Sequence, residues 1–373
     1  MAIQLFVPTF AIEECLSEIR ETLERGWTGL GFKTVEFEQA WLRYTRLNHA
    51  HFVNSATSGL HLAVNIFKEV DGWCEGDEII TSPLTFVSSN HAIMYEGLKP
   101  VFADVDEFLC LDPVDLERKI TPRTRAVMFI GLGGNTGQLV RVQDFCKKHG
   151  LRLILDAAHM AGTRLSGNTP SADCVVYSFQ AVKNLPTADS GMICFAEAAH
   201  DEICRKKAWM GINKDTFART SDKGSYRWLY DVDYVGYKYN GNSVMAAMGL
   251  VELRYLDRNN AYRRQIATWY DEGLKDQKGI GRVPVAPDCE SSRHLYQIHV
   301  DNRDELMLAL NGVDIFPGVH YRDNREYKMF SENEDTCPNS TRMSDRILSL
   351  PMHMRLTRAD VDAVVEAVTK YAG

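Results

Sequence analysis

The run Leu151-Arg152-Leu153-Ile154-Leu155-Asp156-Ala157-Ala158-His159 orders everything around it. Its apolar body reads as a buried strand, and it ends on a carboxylate, Asp156. In α/β folds, ligands gather beyond the carboxyl ends of such strands, so Asp156 stands where a site would form. A second apolar run, Cys174-Val175-Val176-Tyr177, leads into Ser178-Phe179-Gln180-Ala181-Val182-Lys183-Asn184, which places Lys183 27 positions after Asp156 at the same kind of strand end. An amine and a carboxylate so placed match the needs of pyridoxal phosphate (PLP). The amine forms a Schiff base, and the carboxylate keeps the pyridine nitrogen protonated so that the ring can take up electrons. Taken singly, each residue is more simply a strand-terminal Asp or a solvated loop Lys, and spacing alone does not overturn that.

Outward from this pair, short apolar runs at 51–54, 78–81, 101–105, 126–130, 151–155, 174–177 and 192–195 alternate with helix-like segments. The alternation predicts an α/β fold with a predominantly parallel sheet covered by helices on both faces. Before it, apolar residues at helical spacing (Ile12, Leu16, Ile19, Leu23; Phe37, Trp41, Tyr44) predict amphipathic helices over 12–25 and 35–44. Beyond Gly241 the pattern becomes a long helix over 243–270, a strand at 295–300, a helix at 304–310, a strand near 313–316 and a closing helix at 357–371. We expect a large cofactor-binding domain over residues 1–242 and a smaller α+β domain over 243–373.

The 373 residues, 45% hydrophobic, suffice for a large core. A net charge of −8, with 42 basic residues among 50 acidic ones, argues against a nucleic-acid surface, and Arg205-Lys206-Lys207 reads as one solvated helix face. No apolar run approaches the ~20 residues of a membrane helix, and Met1-Ala2-Ile3-Gln4-Leu5 carries no secretion signal. The nine cysteines occur singly, with no CxxC pair. Reduced thiols, a cytoplasmic location and the absence of any metal, membrane or nucleic-acid partner are the expectations.

Asn54-Ser55-Ala56-Thr57-Ser58-Gly59 lies between the first strand and a helix, where free backbone N–H groups and the positive end of the helix suit a phosphate. Thr57 and Ser58 can add hydroxyl donors; a plain N-cap explains the segment equally. Phe86, after the second strand, stands where an aromatic face could cover the pyridine ring, or simply packs in the core. His159 either reaches the ring's phenolic oxygen or is a hydrogen-bonded structural histidine. Gly131-Leu132-Gly133-Gly134-Asn135 lacks the GxGxxG spacing of a dinucleotide site and reads as a turn that brings backbone close to the cofactor.

In order along the chain, Gly26-Trp27-Thr28-Gly29 with Val35-Glu36-Phe37-Glu38, residues 54–64, residues 99–106, Ile120-Thr121-Pro122-Arg123-Thr124, residues 156–159, residues 178–184, Gly236-Tyr237-Lys238-Tyr239-Asn240 and Leu348-Ser349-Leu350-Pro351 resemble the DegT/DnrJ/EryC1/StrS family of sugar aminotransferases. The resemblance covers nearly the whole chain and implies the aspartate aminotransferase-like fold, fold type I of PLP enzymes. It implies that Lys183 carries the Schiff base, Asp156 pairs with the pyridinium nitrogen, Phe86 stacks on the ring, and Thr57, Ser58 and Ser178 hold the phosphate. It also implies that Lys238 reaches the partner subunit's phosphate in a homodimer with shared sites. That position is commonly Asn in the family, so Lys238 is a departure, as is Ser190 in Asp189-Ser190-Gly191, where glycine is usual.

Sugar 3-dehydratases of the family carry His in place of the Schiff-base Lys, so Lys183 implies transamination. The implied partners are L-glutamate as amino donor and a nucleotide-linked keto sugar, most often 6-deoxy, in amino-sugar biosynthesis such as that of lipopolysaccharide or O-antigen. His320-Tyr321 matches the family's His-Tyr segment near the substrate pocket, or is a structural pair. A PLP-dependent dehydratase or epimerase, or a non-catalytic fold relative, is the alternative.

Overall fold

The computed structural model describes residues 2–213 and 230–372. Its strands are β1 (His51–Val53), β2 (Glu78–Thr81), β3 (Lys99–Phe102), β4 (Thr124–Ile130), β5 (Arg152–Asp156), β6 (Arg164–Leu165), β7 (Cys174–Ser178), β8 (Gly191–Phe195), β9 (Gly281–Arg282), β10 (Cys289–Glu290), β11 (Tyr296–His299) and β12 (Ile347–Leu350). Seven of them form one sheet in the order β1-β8-β7-β5-β4-β2-β3, and only β8 runs against its neighbours. The predominantly parallel sheet read from the apolar runs is therefore present. Its register levels the functional ends: Ile130 pairs with Asp156, Asp156 with Val176, and Ser178 with Gly191.

The helices are α1 (Ile12–Glu24), α2 (Phe32–Thr45), α3 (Ala56–Val70), α4 (Ser88–Met94), α5 (Pro113–Lys119), α6 (Leu139–His149), α7 (Ala198–Ala208), α8 (Ser243–Gly273), α9 (Arg303–Asn311), α10 (Pro338–Arg346) and α11 (Arg358–Tyr371). Each face of the large sheet has its own apolar core. One gathers Phe37, Trp41, Val142 and Leu256 from α2, α6 and α8 around Val127, Leu155 and Val175. The other gathers Leu60, Val64, Phe67, Ile93 and Cys204 from α3, α4 and α7 around Met128, Ile154 and Val176. Consecutive strand residues thus point into opposite cores, which is why the central strands are apolar throughout.

Helix starts follow local chemistry. Ser55 caps α3 by accepting from the Ser58 N–H, Asn242 caps α8 through Met245, and Thr357 with Asp360 forms a capping box on α11. A third core joins the second half of α8 to α9, α11, β11 and β12. No helix among the described residues is long and apolar enough to cross a membrane.

Two local expectations fail. Residues 313–316 make no strand: Asp314 adopts φ 61°, a left-handed conformation that interrupts extension, and Ile315 keeps only a single bridge, to Ile3. The partners of β11 are instead β12 and β9. Nor do Arg205, Lys206 and Lys207 share a solvated face, because successive helical residues point about 100° apart. Lys207 is buried against Asn65 and Glu69, and Arg205 binds Glu38, Asp201 and the Ala50 carbonyl; Lys206 pairs with Asp233.

Candidate active site

Asp156 ends β5 with both carboxylate oxygens held: the Ser89 hydroxyl donates to Oδ2 at 2.7 Å and the Ala158 N–H to Oδ1 at 3.0 Å. Burial pushes its carboxyl above the usual range, against those two bonds and the Lys183 charge. Lys183 lies in the turn after β7, half-buried, and among the described residues nothing donates to, accepts from or pairs with its amine. Burial pulls that amine down to about 8, although Asp156 opposes the shift. A lysine so treated keeps a sizeable uncharged fraction near neutral pH, which is what a nucleophile and proton carrier requires.

Across β7, β8 meets the start of α3 so closely that a Cβ on Gly191 would sit 2.8 Å from the Ala56 nitrogen and 2.7 Å from the Tyr177 carbonyl. That approach sets the N-terminus of α3 beside Ser178. Among the described residues the N–H groups of Ala56 and Thr57 have no acceptor, and the Thr57 hydroxyl is likewise uncommitted. The Ser178 hydroxyl accepts weakly from the Gln180 N–H at 3.4 Å and keeps its own proton. The Ser58 hydroxyl instead faces Asn54 Oδ1 at 2.7 Å and the Ser55 carbonyl at 2.8 Å, within the cap. Ser190 finds room by bonding Thr187 at 2.7 Å, so the departure from glycine leaves the turn closed.

His159 has protein partners on both ring nitrogens. The Gly133 N–H donates to Nδ1 at 3.1 Å, so the glycine-rich turn does bring backbone to the site, and Nε2 lies 3.2 Å from the Tyr321 hydroxyl. Burial, with Lys183 and His320 adding, holds this histidine neutral, its proton therefore on Nε2 and donated to Tyr321. The phenol proton of Tyr321 is left free for another acceptor. His320 faces Ser349 at 2.9 Å, and burial beside Lys183 lowers it to about 4. Phe86 is 57% exposed, its ring 6.0 Å from that of Tyr321, an open aromatic face. The Lys238 carbonyl accepts from Asn54 Nδ2 at 3.1 Å, beside the start of α3, while its exposed side chain sets the amine 3.0 Å above the Trp209 ring.

Sequence reasoning missed Ser89, the donor to Asp156, and His294, whose ring lies 4.3 Å from that of His159. No local pattern marks either, since both are brought in by folding. A cavity of about 1120 Å³ runs along residues 43–48, Arg164 and Asp173 at the opposite strand ends. None of the groups above lines it, and the chemistry does not lie there.

The residues fit PLP: a free amine, a buried oriented carboxylate, an open aromatic face and unpaired N–H groups at a helix start. A family model described as the DegT/DnrJ/EryC1/StrS aminotransferase family matches residues 10–369. The chain is 36% identical to the spore coat polysaccharide biosynthesis protein SpsC of Bacillus subtilis (strain 168), over 97% of this chain and 95% of that protein. Among solved structures it is similar to PseC of Helicobacter pylori, an aminotransferase involved in the biosynthesis of pseudoaminic acid, with TM-score 0.92, 26% identity and coverage of 100% and 99% of the two chains. It is similar also to the sugar aminotransferase Spr1654 of Streptococcus pneumoniae in its PMP form, with TM-score 0.89, 26% identity and coverage of 100% and 98%. The chain therefore belongs to the DegT/DnrJ/EryC1/StrS aminotransferase family and is a PLP-dependent sugar aminotransferase with the type I fold.

Proposed function

We propose that the protein moves the amino group of L-glutamate to the ketone of a nucleotide-linked 6-deoxy sugar, as a homodimer with shared active sites. The observation that carries this is the unpartnered Lys183 amine beside the buried Asp156, at the position where the family's dehydratases lack a lysine. When bound, PLP supplies the carbonyl that receives nitrogen and the ring that holds an electron pair. Lys183 Nζ takes the proton from the donor's α-carbon and returns one at the carbon being aminated. Asp156 holds the proton on the ring nitrogen, kept in place by Ser89. The Ala56 and Thr57 N–H groups, with Thr57 and Ser178, hold the phosphate, and Ser58 closes the cap beneath them. Phe86 covers the ring, and His159, bonded on both ring nitrogens, borders it through Tyr321.

His320 and Tyr321 border the sugar, and the free Tyr321 proton suits a keto oxygen. Lys238 is exposed and carries no acid partner among the described residues, consistent with reaching the phosphate of a second subunit. The core that joins the second half of α8 to α9, α11, β11 and β12 supports a small domain over residues 243–373 beside a large cofactor-binding one over 1–242, with the first half of α8 packed into the core of the large sheet. Nine free cysteines, most of them buried, support a cytoplasmic location, and the likeness to a polysaccharide biosynthesis protein supports a product bound for a surface polysaccharide such as lipopolysaccharide or O-antigen.

An absorbance spectrum of the purified protein with and without L-glutamate tests the donor. Loss of a visible cofactor band on adding glutamate is expected; an unchanged band removes glutamate from the reaction. Candidate keto sugars added to the glutamate-treated protein should restore the band. For the shared site, inactive Lys183→Ala and Lys238→Ala chains should regain activity once mixed dimers form, and inactive mixed dimers would refute it.

A further inference from the structure

We propose that Arg263 is a carboxylate-recognition residue of the Lys183 pocket, and that the carboxylate it takes belongs to the amino donor. This rests on the amino-acid donor proposed above. Arg263 lies on α8, 6% exposed, and its Nη1 donates to the Met352 carbonyl at 3.1 Å. Its Nε is sealed from solvent with no acceptor among the described residues. Burial alone pulls the guanidinium down to about 10, with no acidic group opposing the shift.

Buried charges are normally paired, and an uncompensated one is costly to hold. Elsewhere this chain follows the rule: buried Lys33 meets Glu18, Glu21 and Glu36, and buried Lys207 meets Glu69. Arg263 instead lines a small cavity, about 20 Å³, with Lys183, Asn184 and Asn259, roofed by Phe6, Val7, Pro8 and Thr9. No carboxylate lines it. The space takes roughly one water, so taking a carboxylate there requires side chains of the lining to give way.

The chemistry of the two half-reactions selects the anion. The donor's nitrogen must come to the position of the Lys183 amine, which brings the α-carboxylate, one carbon further, into the region that Lys183 lines. A sugar ketone bears no charge at its reacting carbon, and the phosphate is provided for at the start of α3. A planar guanidinium fork matches a carboxylate in two parallel hydrogen bonds.

The test compares wild type, Arg263→Met and Arg263→Lys as holoenzymes in single-turnover half-reactions from both sides. In Arg263→Met the apparent Kd for L-glutamate should rise roughly a hundredfold. The reverse half-reaction from the aminated sugar, which has no such carboxylate, should keep its wild-type rate. Arg263→Lys, which keeps charge without the fork and preserves the fold if methionine does not, should fall between. Independently of turnover, glutarate should raise the Tm of the wild-type holoenzyme and leave that of Arg263→Met unmoved. Equal slowing of both half-reactions would make Arg263 structural and overturn the proposal. Chloride reproducing the glutarate effect at equal concentration would reduce the site to a structural counter-ion and overturn it as well. If glutamate leaves the wild-type cofactor band unchanged while glutarate still distinguishes wild type from Arg263→Met, the donor identity falls and the carboxylate site stands.

Discussion

Lys33, at the start of α2, and Lys183, after β7, are both withdrawn from water, yet they meet opposite surroundings. Lys33 places its amine 2.5 Å from Glu18, 2.7 Å from Glu21 and 3.3 Å from Glu36. Against its burial, those carboxylates raise it to about 12. Lys183 has Asp156 nearby but nothing bonded to its amine, and burial lowers it to about 8. Compensation makes a buried cation a tie between α1 and α2; withholding it makes one reactive. Lys207 and Arg263 repeat the contrast, one buried against Glu69 and Asn65 and the other bonded to a single carbonyl.

The largest expected effect separates the two lysines by function. Lys183→Ala should lower turnover at least ~10⁴-fold while the cofactor still binds through Asp156 and the α3 terminus. Steady-state rates with equilibrium dialysis of the cofactor check it, and wild-type turnover would take Lys183 out of the mechanism. Next, Asp156→Asn keeps the shape and the Ser89 partner but not the charge. It should slow the glutamate half-reaction roughly a hundredfold, measured by stopped-flow absorbance; a rate within about twofold of wild type would leave the carboxylate charge without a role.

The smallest effect sharpens the comparison most, because the signs oppose. Lys183 has its folded pKa below its unfolded one. Between about pH 8 and the ordinary lysine range the unfolded chain therefore binds the extra proton, and stability rises with pH there. Cofactor-free Lys183→Met should be more stable than wild type at pH 7, by about 1–2 kcal/mol after allowing for partial exposure. That advantage should close as pH climbs past 8. Lys33 is raised, so its contribution is fully present below the ordinary lysine range and is lost only as pH rises through about 12. Lys33→Met should lose about 1 kcal/mol at pH 7, with the deficit unchanged at pH 9. Calorimetric melts across this range check both, and the same sign for the two variants would break the contrast.

Asp156, Thr57 and Ser178 were legible because the ends of apolar strands and the starts of helices are written in a few adjacent residues, and a parallel sheet brings such ends to one edge. Lys183 was legible from its place after β7. The partners that tune them were not. Ser89 is 67 positions from Asp156, and His294 110 positions from Asn184. The misplaced strand at 313–316 and the misread Arg205-Lys206-Lys207 face failed similarly: Asp314 turns left-handed where alternation suggested extension, and Lys207 is drawn inward by Glu69.

By itself the sequence determined the α/β order of elements and which residues stand at its strand ends and helix starts, since periodicity, capping and strand termination are properties of neighbouring residues; the cofactor followed from the family resemblance that those residues carry. Only the tertiary structure decided which buried charges find partners and which do not. It paired Lys33 and Lys207, left Lys183 and Arg263 uncompensated, and set the proton of His159 on Nε2, because the free energy of a buried charge depends on groups within a few ångströms in space rather than along the chain.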